Sequence, residues 1–184
     1  MRDAAGQPVA NAVVTFRPAA GVHAPPPASG TFQVTQADIR FNPLVIVVPV
    51  GSEVEFPNHD KVRHHVYSFS PAKRFELRLY GKDESRHITF DQPGVVSLGC
   101  NIHDQMMGFV FVTDTPWAVK TGPDGEAVLK GVPQGAGTVI VWHPFLWGRF
   151  NEMTQSVTAP AHGEVRTAFS LKLHPPPLGK TPAL

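Results

Sequence analysis

Only one cysteine, Cys100, occurs in the 184 residues. That excludes an intramolecular disulfide and any binuclear centre bridged by two thiolates, and it leaves one thiol free to react or to bind metal. Charge is scarce as well: Asp, Glu, Lys and Arg supply 17% of the chain, against about 25% in an average domain. The net charge is +1 and no basic block occurs, so nucleic acid is not an expected partner. No apolar run approaches the roughly 20 residues that a membrane helix needs. The longest, Leu44 to Val50, is interrupted by Pro49, so no membrane span is expected. A charged, apolar and small-residue leader is missing too, and Met1-Arg2-Asp3 runs almost at once into strand-like sequence, as in a trimmed mature form behind a start Met. Nor does any window of a dozen residues carry a helical apolar stripe.

What the sequence does contain is short strand signals. Val13 to Phe16, Leu44 to Val48, Val54 to Phe56, His64 to Phe69, Gly94 to Leu98, Phe109 to Val112 and Thr138 to Trp142 are β-branched or aromatic and are bounded by Gly, Pro, Asn or Asp. Gly and Pro together make up about 19% of the chain, below the roughly 25–30% of a low-complexity sequence. An all-β, turn-rich sandwich or barrel is expected. The closing run 175–184, Pro-Pro-Pro-Leu-Gly-Lys-Thr-Pro-Ala-Leu, reads as a stiff tail that is poorly ordered unless it docks.

Chemistry concentrates in Gly99-Cys100-Asn101-Ile102-His103-Asp104-Gln105-Met106-Met107-Gly108. A thiolate, an imidazole and a thioether stand at i, i+3 and i+6, directly after a strand. Cys and Met favour Cu(I), imidazole accepts both copper oxidation states, and two His with one Cys and a weak axial Met form the blue-copper arrangement. The second His must come from Asn58-His59-Asp60-Lys61-Val62-Arg63-His64-His65-Val66, farther up the chain. Strand alternation places His64 and His65 on opposite faces, so only one of them can readily be a ligand. Zinc would prefer more Cys or His and has no use for a terminal Met. A Cys-His nucleophile would want an orienting Asn or Asp and an oxyanion device, neither of which accompanies this pair.

The order His, then Cys-x-x-His-x-x-Met, resembles the amicyanin and plastocyanin branch of the cupredoxins, with a short ligand loop most similar to amicyanin. The resemblance implies a Greek-key cupredoxin β-sandwich holding one copper per chain, with His64, Cys100, His103 and Met106 as metal ligands. His65 is then the residue after the first ligand, and Met107 is part of an apolar rim around a more exposed His103. Asn58, in the family's F-x-N-x-D turn, is expected to brace the ligand loops. Asp104 replaces the Pro usual in such loops, and its carboxylate beside His103 could alter partner choice or lower the potential.

A second module is readable at the two ends of the chain. Gly6-Gln7-Pro8-Val9-Ala10-Asn11-Ala12-Val13-Val14 and the much later Asp124-Gly125-Glu126-Ala127 and Thr138-Val139-Ile140-Val141-Trp142, read back to back, resemble a transthyretin-like, carboxypeptidase-regulatory-like β-sandwich. The expected organisation is a copper domain at 29–115 inserted into a discontinuous small β-sandwich of 1–28 and 116–174, followed by the proline-rich tail 175–184. Insertion is tolerable because domain termini often lie close together. Trp142-His143-Pro144-Phe145-Leu146-Trp147 reads either as packing or as a docking surface for a partner.

The functional expectation is an electron carrier and not an enzyme, working through a transient redox partner in the periplasm, with the oligomeric state unassigned. The alternative is a periplasmic protein that binds or delivers copper without electron transfer. Such carriers tend to be rich in Met, and this chain has only 4, one of them the start residue.

Overall fold

β-branched and aromatic residues alternating with polar ones favour pleated, half-buried strands, and strands dominate the chain. The computed structural model describes residues 1–177; the remainder of the proline-rich stretch, 178–184, lies outside the described residues. The chain opens with β1 (Arg2–Asp3) and β2 (Val13–Pro18). There follow β3 (Thr31–Gln33), β4 (Thr35–Ala37), β5 (Arg40–Asn42), β6 (Val45–Pro49), β7 (Ser52–Glu55), β8 (His64–Ser70), β9 (Lys73–Tyr80), β10 (His87–Phe90), β11 (Gly94–Cys100) and β12 (Met107–Thr113). The chain then continues through β13 (Ala118–Lys120), β14 (Gly135–Trp142), β15 (Glu152–Ala159) and β16 (Ser170–Leu171). A single 3-10 turn, Arg149–Asn151, is the helical element among the described residues.

The chain divides into two compact units. One combines Met1–Pro26 with Thr115–Pro175, and the other holds Pro27–Asp114.

The Pro27–Asp114 unit pairs a five-stranded sheet, in the order β6-β12-β11-β8-β9, with a three-stranded sheet ordered β10-β7-β3 and the small hairpin β4-β5. β6 runs parallel to β12, whereas β12, β11, β8 and β9 are successively antiparallel. Period-two alternation fills its core: β8 buries His64, Val66 and Ser68, and β11 buries Val96, Leu98 and Cys100. Val34, Phe41, Val54, Phe56, Phe90 and Val110 close that core. The same alternation that puts valines inside therefore puts the chain's one thiol and one of its two adjacent histidines inside.

In the discontinuous unit, a four-stranded sheet runs β13-β2-β14-β15 and β1 lies parallel to β16. Val14, Phe16, Trp117, Val141, Leu146 and Leu171 form its core. Gly137 is needed there for space: a Cβ on it would fall 2.2 Å from Cζ of Phe16. Of the aromatic run, Trp142, His143 and Leu146 are buried and Trp147 is half exposed, so most of it is packing. His143 accepts a hydrogen bond at Nδ1 from the Phe145 amide, 3.2 Å away, and a backbone hydrogen bond links it to Ala10. Burial lowers its imidazole to about 4, against a small opposing effect of the Ala10 bond.

Candidate metal centre

Cys100 ends β11, and its backbone pairs with Val66 of β8, which fixes it two residues from His64 on the neighbouring strand. The chain then turns through 101–106. The Asn101 amide donates to the His65 carbonyl at 3.2 Å, and the Met106 amide donates to the His103 carbonyl at 3.0 Å. This short turn folds His103 back over the thiol.

Three donors converge as a result. Cys100 Sγ lies 3.8 Å from Nδ1 of His64 and 3.6 Å from Nδ1 of His103. Donors sharing one ion through bonds of about 2.0–2.3 Å stand roughly 3.5–3.8 Å apart at angles between tetrahedral and trigonal. The cluster therefore fits a single metal ion, and its thiolate and two imidazoles are a soft set. Cys100 and His64 are buried, whereas His103 is partly exposed, so the site meets solvent at one imidazole only.

Met106 is buried at 1% exposure within the core around Cys100. Met107 is half-buried at the start of β12, opposite Gly99. His65 faces away from the cluster, with Nε2 2.9 Å from a Glu76 carboxylate oxygen. His59 and Asp104 are exposed. The structure thus brings together His64, Cys100 and His103 of the residues singled out in the sequence, and separates His65 and His59 from them.

Two features differ from the sequence expectation or escaped it. Asn58, fully buried, donates to the Val62 and Tyr80 carbonyls at 2.9 and 3.2 Å and accepts from the Asp60 amide at 2.9 Å. It braces the turn leading into His64, whereas backbone bonds tie down the 101–106 loop. The missed residue is Asp60, whose Oδ2 lies 2.8 Å from Nε2 of His64. It closes the Phe56-Pro57-Asn58-His59-Asp60 turn, so the motif that drew notice to Asn58 held the signal.

Electrostatics prepare the thiol for metal. Burial by itself would raise the Cys100 thiol; hydrogen bonding with His64, with the backbone at His65 and Ile102, and with His103 outweighs it and brings the thiol down to about 6. Metal binds the thiolate, which is thus available at neutral pH. For His64, burial opposes the charge, while Cys100 and Asp60 together raise the imidazole above its usual value.

Within this β-sandwich unit one buried Cys and two His thus form a candidate metal site. Solved structures similar to this chain include a copper-containing nitrite reductase from Thermus scotoductus, with 30% identity over 61% of this chain and 27% of that one, at a TM-score of 0.42. Another is a purple cupredoxin from Nitrosopumilus maritimus, with 24% identity over 44% of this chain and 98% of that one, at a TM-score of 0.40. A third is a Cu(I) form of an amicyanin variant, with 24% identity over 56% of this chain and 99% of that one, at a TM-score of 0.42. The chain spans about a quarter of the reductase's length. No family model matches the sequence, and no curated protein matches it.

Proposed function

We propose that this chain carries single electrons, using one copper ion held by His64, Cys100 and His103 with the Met106 thioether as a weak fourth ligand. The observation that carries the reading is the convergence of the two Nδ1 atoms on the Cys100 sulfur at 3.6 and 3.8 Å. Copper bound by such a set supplies a one-electron Cu(II)/Cu(I) couple, since trigonal His₂Cys ligation suits both oxidation states. The protein's own part is to hold the donors still. β8 and β11 fix His64 and Cys100, and the Met106 to His103 backbone bond fixes the loop. Burial of the thiol and His64, with His103 alone partly exposed, favours a carrier over an enzyme. His103, the exposed donor, gives electrons their way in and out, and Ile102 beside it, 49% exposed, offers an apolar contact. A small, transient interface with a redox partner follows, as such encounters lie at the low end of interface size. The periplasm is the compartment this reading favours.

For the discontinuous unit we infer a transthyretin-like, carboxypeptidase-regulatory-like host into which the copper domain is inserted. Its support is that β2 and the much later β13 and β14 share one antiparallel sheet.

The test is to add Cu(II) and record the visible spectrum of the wild-type protein and of Cys100→Ser. An intense thiolate-to-copper charge-transfer band, lost in the variant, is expected. A colourless wild-type protein would refute the electron-carrier reading.

A further inference from the structure

Asp60 is placed to do more than close a turn. Its Oδ2 accepts from Nε2 of His64 at 2.8 Å and from the Ile39 amide at 3.0 Å, and its Oδ1 accepts from the Asp38 amide at 2.8 Å. Its own amide is held by Asn58 at 2.9 Å. Three hydrogen bonds thus fix the carboxylate and a fourth its backbone, and its side chain is only 14% exposed against a fully buried imidazole.

The two amides that grip it come from a strained turn. Asp38 and Ile39, between β4 and β5, both stand at φ +54°, and a left-handed conformation is a genuine outlier for a β-branched residue such as Ile39. Such strain persists only where surrounding structure fixes it. In that conformation the two N–H groups converge on the Asp60 carboxylate, leaving the remaining Oδ2 lone pair for His64. Burial opposes the negative charge, and the His64, Ile39 and Asp38 bonds together hold the carboxyl below its usual range.

We infer that Asp60 is a positioning residue for the metal ligand His64, fixing its proton on Nε2 and biasing the bound ion toward its higher charge. The inference rests on the copper reading given above. With Nε2–H committed to the carboxylate, the imidazole keeps its lone pair at Nδ1, the atom facing the Cys100 sulfur. A carboxylate on the far nitrogen also raises the basicity of a metal-bound imidazole, and removing such a partner typically costs about 10–100-fold in metal affinity. An anion close to the site favours Cu(II) over Cu(I), so the loss should fall mainly on Cu(II).

The experiment measures reduction potential and both copper affinities for the full chain, for Asp60→Asn, and for Asp104→Asn as a control carboxylate on the exposed side of His103. Asp60→Asn should bind Cu(I) within about threefold of wild type and Cu(II) about tenfold more weakly. That tenfold ratio is a potential rise of about 59 mV for one electron. Asp104→Asn should shift the ratio by less than threefold. A Cu(II)-to-Cu(I) affinity ratio in Asp60→Asn within twofold of wild type, or an equal shift in Asp104→Asn, overturns the inference. Should Asp60→Asn fail to fold, the diamagnetic Cu(I) form of the wild-type protein decides: the His64 Nε2–H proton must be protected from exchange and correlate with the Asp60 carboxyl carbon, and its absence overturns the inference. A wild-type protein without the thiolate band would instead refute the copper reading itself.

Discussion

Replacing His143 by Asn should abolish most of the acid sensitivity of the discontinuous unit. His143 is 5% exposed, and burial lowers its imidazole from 6.5 to about 4. The folded state therefore binds its proton more weakly than the unfolded chain does. The associated stability is fully present above pH 6.5 and is lost as the pH falls toward 4, where the folded imidazole also protonates. A difference of about 2.5 pH units at 1.36 kcal/mol each corresponds to roughly 3 kcal/mol. Protonating Nδ1 would also break the bond it accepts from the Phe145 amide. Asn can accept that bond but does not titrate. Urea unfolding followed by tryptophan fluorescence reads this unit alone, because Trp117, Trp142 and Trp147 all belong to it. Between pH 6.5 and 4.5, wild type should lose about 2–3 kcal/mol relative to the variant, although the variant starts less stable at pH 7. Glu152, whose carboxyl is raised by burial despite Arg17, contributes a slope of opposite sign to both proteins, so the difference isolates His143. Parallel pH profiles for the two proteins would refute the reasoning.

Three further outcomes are expected. Gly137→Ala should destabilise the same unit by about 3 kcal/mol, because the new Cβ meets the Phe16 ring at 2.2 Å and the Arg17 carbonyl at 2.7 Å; Phe16→Leu in the same chain should recover part of the loss in a urea titration. In metal-free protein, thiolate absorbance near 240 nm should rise with a midpoint near pH 6, not the 8.5 of a free thiol, and a midpoint above 8 would contradict the hydrogen bonding at Cys100. Met106→Leu should shift the copper couple about tenfold toward the reduced form, about 59 mV, because Cu(II) needs a fourth donor more than trigonal Cu(I) does, while Met107→Leu leaves it within twofold; equal shifts would remove the Met106 thioether from the proposed ligand set.

The parts of the site that share a loop were legible, and those joined across strands were less so. Cys100 and His103 stand three residues apart, a spacing that one turn of chain can gather. His64 was separable from His65 because a strand turns neighbours to opposite faces, and here one meets Cys100 while the other meets Glu76. β9 and β15 were not read as strands: Lys73 to Tyr80 and Glu152 to Ala159 carry charged or polar side chains on exposed positions of edge strands, which blunts the apolar alternation. The strained turn at Asp38 and Ile39 was also unreadable, since neither residue favours a positive φ in the way Gly does.

The same contrast explains why Asp60 escaped notice. The turn that contains it marks its place but not its job: its partners are an imidazole four residues on and two amides more than twenty residues back, on a hairpin elsewhere. Yet that arrangement divides the cluster into two unlike halves. On one side, His64 is fully buried and fixed through Asp60 to a strained turn; on the other, His103 is partly exposed on a six-residue loop. Substitutions on the buried side should therefore change the potential, and substitutions around His103 should change partner rates with little change in potential. A variant at Ile102 that shifted the potential as far as Asp60→Asn would break that division.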